Sequence, residues 1–396
     1  MNVAMIELLA QTPFYDRYLS EAVAPLVDRF TLYTIRFHHE PDYFNDATFD
    51  YSPGLVDLVS GWRIKIRPLR QVAKMVEYGL NWLFLLRRFR LQPPDVVHIQ
   101  RLPLLSRVRW ELDAVKRLRH SGVPVVYTVH NYLPHEDSLH SHQVYQRLYA
   151  SVDHLIVHTQ TDRKRLVKDF DISEDKASVI PHGPLFSEQA GFDGASARAA
   201  LGLREPDFVL LMLGVIRPYK GIEETIRALA QVVEQHIECQ LVVVGQALNG
   251  NYLRRLQALA SELDVQSHIQ WHTRYVPSAQ IGLFHAAADV VLFPYRDISQ
   301  SGAFLTAAGL GKCTLTTQVA GLAEIVRDEE RGVQIAAADP AMIADGLRQC
   351  IELAPEHRDR MGIALQKYVQ THCNWDLVAR KTVDVYRRVK RDRATE

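Results

Sequence analysis

Cysteine is scarce in this chain, and its charges cancel. Four cysteines, Cys239, Cys313, Cys350 and Cys373, are scattered over 396 residues without a CxxC pair. That spacing argues against a disulfide framework or a cysteine zinc site and suits a reducing compartment. Lysine plus arginine and aspartate plus glutamate number 46 each, a formal net charge of zero, so no nucleic-acid partner is expected. No apolar run approaches the ~20 residues of a membrane-spanning helix. The stretch from Met1 to Leu19 lacks a basic start and a small-residue cleavage site, so it reads as a first strand and loop, not as a secretion signal. No GxGxxG follows a predicted strand, which speaks against a nicotinamide dinucleotide site. Repeats and low-complexity tracts are missing as well.

What the chain has is strand-helix alternation. Its 396 residues, 47% of them hydrophobic, exceed one ordinary core and predict two domains. Strands are predicted at residues 2–8, 31–37, 95–99, 123–129 and 154–157, then at 208–214, 240–245, 268–272, 290–293 and 314–316. Several are apolar throughout, as parallel strands covered on both faces are. Between them lie helical patterns such as Ile222–Gln235, where Ile222, Ile226, Leu229 and Val233 share one face. The fold class is therefore α/β with two Rossmann-like domains. Pro181-His182-Gly183-Pro184 marks the boundary, giving domains 1–183 and 184–372, with a last helical segment in 373–396.

Leu211–Lys220, LMLGVIRPYK, is the most informative stretch. A buried strand runs into Gly214, then Arg217 and Lys220, then a helix. Two cations and a helix N-terminus at the C-terminal end of a strand make an anion site. A second strand-helix junction, Asp297–Gly302 followed by Ala303, offers Ser301, Gly302 and Ala303 at a helix start; Ser301 would also serve as a simple N-cap. Together the two junctions suggest a diphosphate. His130 ends an apolar strand in the first domain, where it can donate to a phosphate or sugar oxygen or move a proton. His135 and Glu136 follow, but no third ligand at a metal spacing does, so no metal and no cofactor are expected. Glu324 caps a helix or meets a ligand.

These residues resemble the bacterial family-4-like GT-B glycosyltransferases, the glycosyl transferases group 1. The carriers are VHN at Val129–Asn131, IPHG at Ile180–Gly183, GVIRPYKG at Gly214–Gly221, VVVG at Val242–Gly245, FPY at Phe293–Tyr295, GLGKCTLTT at Gly309–Thr317 and AGLAEIV at Ala320–Val326. The resemblance implies two Rossmann-like domains facing across a cleft, an acceptor-binding first domain and a nucleotide-sugar-binding second. It also implies a terminal helix that crosses back to the first domain. Arg217 and Lys220 would hold the diphosphate of a UDP- or GDP-type sugar, and Ser301, Gly302 and Ala303 would offer backbone N–H groups. Arg274 and Tyr275 would lie near the base, and His130 by the transferred sugar. The family's two glutamates, eight residues apart, are replaced by Ile298 and Thr306, of which Thr306 remains a donor-site candidate. The glycine-rich first loop is replaced by Gln11–Asp16, so Thr12, Phe14 and Tyr15 are the acceptor candidates. Asp16, His130 or Glu136 would serve as base in an inverting reaction.

Residues 63–94 hold eight lysines or arginines and one acid, Glu77, among Leu69, Val72, Val76, Leu80, Trp82, Leu83 and other apolar residues. This is the composition of an interfacial helix on an anionic membrane, or of a core helix with basic ends. The expected function is a hexosyltransferase of polysaccharide or glycolipid synthesis, acting on a saccharide or lipid-linked acceptor. It would be cytoplasmic or peripheral on the inner face of the cytoplasmic membrane. The competing readings are a GT-B nucleotide-sugar 2-epimerase and a non-catalytic nucleotide-sugar-binding scaffold.

Overall fold

A computed structural model describes residues 1–51, 54–59, 67–130, 139–203, 207–327 and 330–395. Two compact units emerge: Met1–Pro181 together with Trp375–Glu396, and His182–Asn374.

The first unit is built on a parallel sheet in the order β3-β2-β1-β4-β5-β6-β7. Its strands are β1 (Asn2–Ile6), β2 (Arg29–Tyr33), β3 (Asp50–Tyr51), β4 (Val96–Ile99), β5 (Val125–Val129), β6 (His154–Val157) and β7 (Ala177–Val179). The second unit has the order β10-β9-β8-β11-β12-β13, with β8 (Phe208–Leu213), β9 (Cys239–Val244), β10 (Ile269–His272), β11 (Val290–Phe293), β12 (Thr314–Thr317) and β13 (Val333–Ile335). All these pairings are parallel. Sequence reading misses β3, β7 and β13, each two or three residues long, too short for an apolar run to stand out.

The period of two along each strand feeds two cores in the second unit. Leu210 and Met212 of β8 join one cluster with Leu241, Val243 and Leu292. Val209 and Leu211 join the other with Val242, Val244 and Phe293. Hence the unbroken apolar runs. In the first unit one face carries Ile6, Val97, Ile99, Val125 and Val157. The other face is more polar, with buried His98 and Thr128. The terminal helix Trp375–Thr395 serves it, burying Val378, Val385, Tyr386 and Val389.

The helix Arg67–Leu91 is apolar on two faces. Tyr78, Trp82, Leu85 and Phe89 recur at helical spacing and are buried in the first unit's core. Leu69, Val72, Val76, Leu80 and Leu83 recur in the same way, yet all are exposed, from 48% to 60%. Arg87 and Arg90 continue that outer stripe. Both sequence readings of this segment are thus present at once, on opposite sides of one helix. Among the described residues, no helix is long and apolar enough to cross a membrane.

Trp82→Ala is expected to cost roughly 3–5 kcal/mol, the range for a buried aromatic. Leu83→Ser, one residue on, should stay within about 0.5 kcal/mol, as for an ordinary surface site. Urea melts of the two variants check this; equal losses would contradict the two-faced helix.

Candidate active site

In a parallel sheet the order reverses where successive strands are laid on opposite sides, and a crevice opens at that point beyond the strands' C-terminal ends. In the second unit the reversal falls between β8 and β11. Gly214, directly after β8, has φ +122°, and a Cβ there would lie 2.4 Å from Lys220 Nζ and 3.9 Å from Ala303 Cβ. The missing side chain thus gives Lys220 its place and brings the start of the helix Gly302–Gly309 beside the end of β8. Gly221, at φ +72°, starts the helix Ile222–Val233, and a Cβ on it would strike Pro294 O at 2.0 Å. Glycine is required at both positions for close approach as well as for torsion.

Lys220 is 7% exposed. Its Nζ lies 3.3 Å from Leu213 O and 3.2 Å from Tyr295 Oη, and 5.2 Å from the centre of the Tyr295 ring. Burial lowers its pKa, and nearby Arg217 adds to the effect. Among the described residues neither Lys220 nor Arg217 has a carboxylate partner. A buried ammonium without a counter-ion is costly unless an anion completes it. Arg217 is exposed, in extended backbone just ahead of Lys220.

Ser301 Oγ accepts from Phe304 N at 3.2 Å and so caps the Gly302–Gly309 helix. That leaves the backbone at Gly302 and Ala303 as the anion-receptive part of the junction. Thr306 is placed differently from the expectation. It is 2% exposed and its hydroxyl donates back to Gly302 O at 2.8 Å, which turns it toward its own helix. Ile298 is likewise buried. Exposed Arg274 and half-buried Tyr275 follow β10 at the same strand-end edge. Glu324 lies half-buried on the short helix Ala320–Ile325 after β12.

In the first unit the reversal falls between β1 and β4. Glu7 follows β1, Gln100 and Arg101 follow β4, and His130 follows β5. His130 Nε2 lies 2.9 Å from Gln100 Oε1. Around its ring stand Tyr15 at 4.9 Å and His158 at 5.4 Å between centroids. Tyr15 also meets Trp375 of the terminal helix at 5.4 Å. Of the acceptor candidates, Tyr15 therefore joins His130. Phe14 packs edge-on against Phe37 and Tyr43, and Thr12 Oγ1 donates to Asp16 Oδ2 at 3.0 Å. Glu136 lies outside the described residues.

Asp16 is 1% exposed. Burial raises its pKa well above the usual range, and the charge of Glu7 raises it further. Burial and the Glu7 charge both favour the protonated form of Asp16, which works against the general-base role that the sequence suggests. Glu7 is the partner the sequence reading missed. It is fully buried, and burial brings its pKa to about 7 against the opposing charge of Arg101. Among the described residues Glu7 Oε1, Asp16 Oδ1 and Arg101 Nε have no hydrogen-bond partner. Only the tertiary fold brings Glu7 to Asp16; an ELL run after a strand carries no signal of its own.

Two family models match the chain: glycosyl transferases group 1 over residues 194–368 and glycosyltransferase family 4 over residues 24–183. The D-inositol 3-phosphate glycosyltransferase of Nocardioides sp. is 27% identical over 88% of this chain and 81% of its own length. That of Kribbella flavida is 28% identical, over 90% and 88%. Among solved structures, Anabaena HepE in complex with UDP-glucose superposes with a TM-score of 0.76 at 15% identity, covering 97% of this chain and 99% of that one.

The raised Glu7 pKa makes stability depend on pH. The folded state keeps a proton that the unfolded chain releases, so stability falls as pH rises from about 4.5 to about 7 and levels off above. Glu7→Gln is expected to flatten the Tm profile across that window, also freeing Asp16 of a negative neighbour. Parallel profiles for variant and wild type would show Glu7 already ionised. With the two family models spanning most of the sequence and a GT-B structure aligned along nearly all of it, the chain belongs to the group 1, family-4-like GT-B glycosyltransferases and is a glycosyl-transfer enzyme.

Proposed function

We propose that the protein transfers a hexosyl group from a nucleoside-diphosphate sugar, bound by the second unit, to a saccharide or lipid-linked acceptor taken by the first unit. The observation that carries the donor half is Lys220, a buried ammonium at the strand-order reversal with no carboxylate partner among the described residues. Breaking the bond from the sugar's anomeric carbon to the diphosphate leaves negative charge on the phosphate oxygens. Lys220, Arg217 and the backbone at Gly302 and Ala303 supply positive potential to that charge as it grows. The acceptor oxygen forms the new bond, and its proton passes to the leaving phosphate or to His130. With Ile298 and Thr306 inside the fold, backbone groups and cations carry donor binding in place of a carboxylate pair. The UDP-glucose held by HepE supports a uridine nucleotide. Family membership favours transfer over the epimerase and scaffold readings.

The acceptor half draws on the outer stripe of the helix Arg67–Leu91. Exposed Leu69, Val72, Val76, Leu80 and Leu83 beside Arg70, Arg87 and Arg90 suit burial among acyl chains with anionic headgroups alongside. A lipid-linked acceptor at the inner face of the cytoplasmic membrane fits this surface and a role in polysaccharide or glycolipid assembly. The relatives' names favour a second acceptor, a small phosphorylated polyol; Arg101 at the end of β4 would then meet its phosphate.

UDP at about 100 times its Kd should stabilise the protein by roughly 2.7 kcal/mol, read as a rise in Tm that EDTA leaves unchanged. Lys220→Met should abolish the rise while preserving the fold, since an apolar side chain relieves a buried charge. No nucleoside diphosphate shifting the wild type would sink the donor site. For the membrane surface, wild type should co-sediment with phosphatidylglycerol vesicles. The double variant Val76→Glu/Leu80→Glu should lose at least tenfold in binding, since it removes buried methylenes worth about 0.8 kcal/mol each and sets two acids against anionic headgroups. Wild type remaining in the supernatant would refute this part and leave the soluble polyol acceptor.

A further inference from the structure

We propose that Gln100 is a positioning residue that holds His130 in its Nε2–H tautomer. The inference rests on His130 being part of the reaction site and sharpens its role there.

Gln100 is fully buried at the end of β4, and its amide meets three groups. Its Nε2 lies 3.1 Å from Met5 Sδ and 3.3 Å from His98 Nε2. Its Oε1 lies 2.9 Å from His130 Nε2. Chemistry fixes which end of the amide faces which neighbour. A thioether sulfur accepts hydrogen bonds and donates none, so the NH2 end belongs against Met5. Turned over, the amide would set its oxygen against sulfur lone pairs.

His98 agrees with that orientation. Burial, with His158 nearby, drives its pKa down to about 3, so its ring is neutral with one accepting nitrogen. Its Nδ1 lies 2.6 Å from Tyr386 Oη, and its Nε2 lies 2.7 Å from Thr128 Oγ1. With the hydrogen on Nδ1 toward Tyr386, the lone pair on Nε2 accepts from the Thr128 hydroxyl at 2.7 Å, and the Gln100 amide shares it weakly at 3.3 Å. The buried row from Tyr386 through His98 to Gln100 is then free of opposed donors or opposed acceptors.

The carbonyl oxygen that remains faces His130 Nε2, and an amide oxygen can only accept. Nε2 must therefore carry the hydrogen, and in the neutral ring the lone pair lies on Nδ1. Any group that meets Nδ1 has to donate. A sugar hydroxyl or the attacking acceptor hydroxyl does so; an unprotonated phosphate oxygen does not. Of the three roles the sequence leaves open for His130, the lock removes phosphate donation from Nδ1 and retains hydroxyl recognition or proton acceptance. The row also ties this choice to the terminal helix, which supplies Tyr386.

The test is long-range 1H–15N correlation on the full chain labelled at histidine nitrogens, with His130 assigned by loss of its signals in His130→Gln. The expected wild-type pattern is a protonated Nε2 and an unprotonated Nδ1. Gln100→Met, close in volume, should shift His130 toward the Nδ1–H form. It should also lower kcat about tenfold, the scale of one neutral hydrogen bond, while leaving the UDP-induced Tm rise intact. A wild-type Nδ1–H pattern, or an unchanged pattern in Gln100→Met, would overturn the lock. Full transfer activity in His130→Gln would instead remove His130 from the reaction and leave the tautomer result standing, so the two failures are distinguishable.

Discussion

Parallel strands send all their C-terminal ends to one edge, and this constraint organises both units. The backbone leaves each strand there in a tight turn, and helix starts gather with unpaired N–H groups outward. Where strand order reverses, between β8 and β11 in one unit and between β1 and β4 in the other, neighbouring crossovers diverge and leave room for side chains. The informative side chains of this protein, Lys220 and Tyr295 in one unit, Glu7, Gln100 and Arg101 in the other, stand at those two places.

The two reversals carry opposite electrostatic characters. At the β8–β11 reversal, burial works against a cation, and no carboxylate among the described residues relieves it. At the β1–β4 reversal, burial works against two carboxyls and drives them toward the protonated form. Each burial is a cost that packing alone does not offset. A diphosphate, as proposed, would resolve the first. Burial at the second favours proton retention by Glu7 and Asp16, which the neighbouring negative charge reinforces at Asp16.

The long helix Arg67–Leu91 shows how one sequence pattern serves two surroundings. Tyr78, Trp82, Leu85 and Phe89 enter the core, while Glu77 and Asn81 hold the preceding loop: Asn81 brackets Val56 at 2.8 and 2.9 Å, and Glu77 accepts from Leu58 N at 2.5 Å. No described residue from Pro68 to Val76 is buried. An apolar stripe of that length left in water is the surface on which the proposed membrane contact rests.

Local sequence determined most of the scaffold and the cationic corner after β8. Unbroken apolar runs mark parallel strands because both faces are covered. Gly214, Arg217, Lys220 and Gly221 are legible together because the turn chemistry and the charge are contiguous in the chain. The short edge strands were illegible because two or three residues give no period. Thr306 could not be sorted from a ligand by spacing, since its role depends on whether the hydroxyl turns to its own helix. Glu7 with Asp16, and Tyr386 with His98, Gln100 and His130, are decided by the tertiary structure alone. Their members come from different strands and helices, and burial, which sets their protonation, is a property of the packed fold and not of any segment in it.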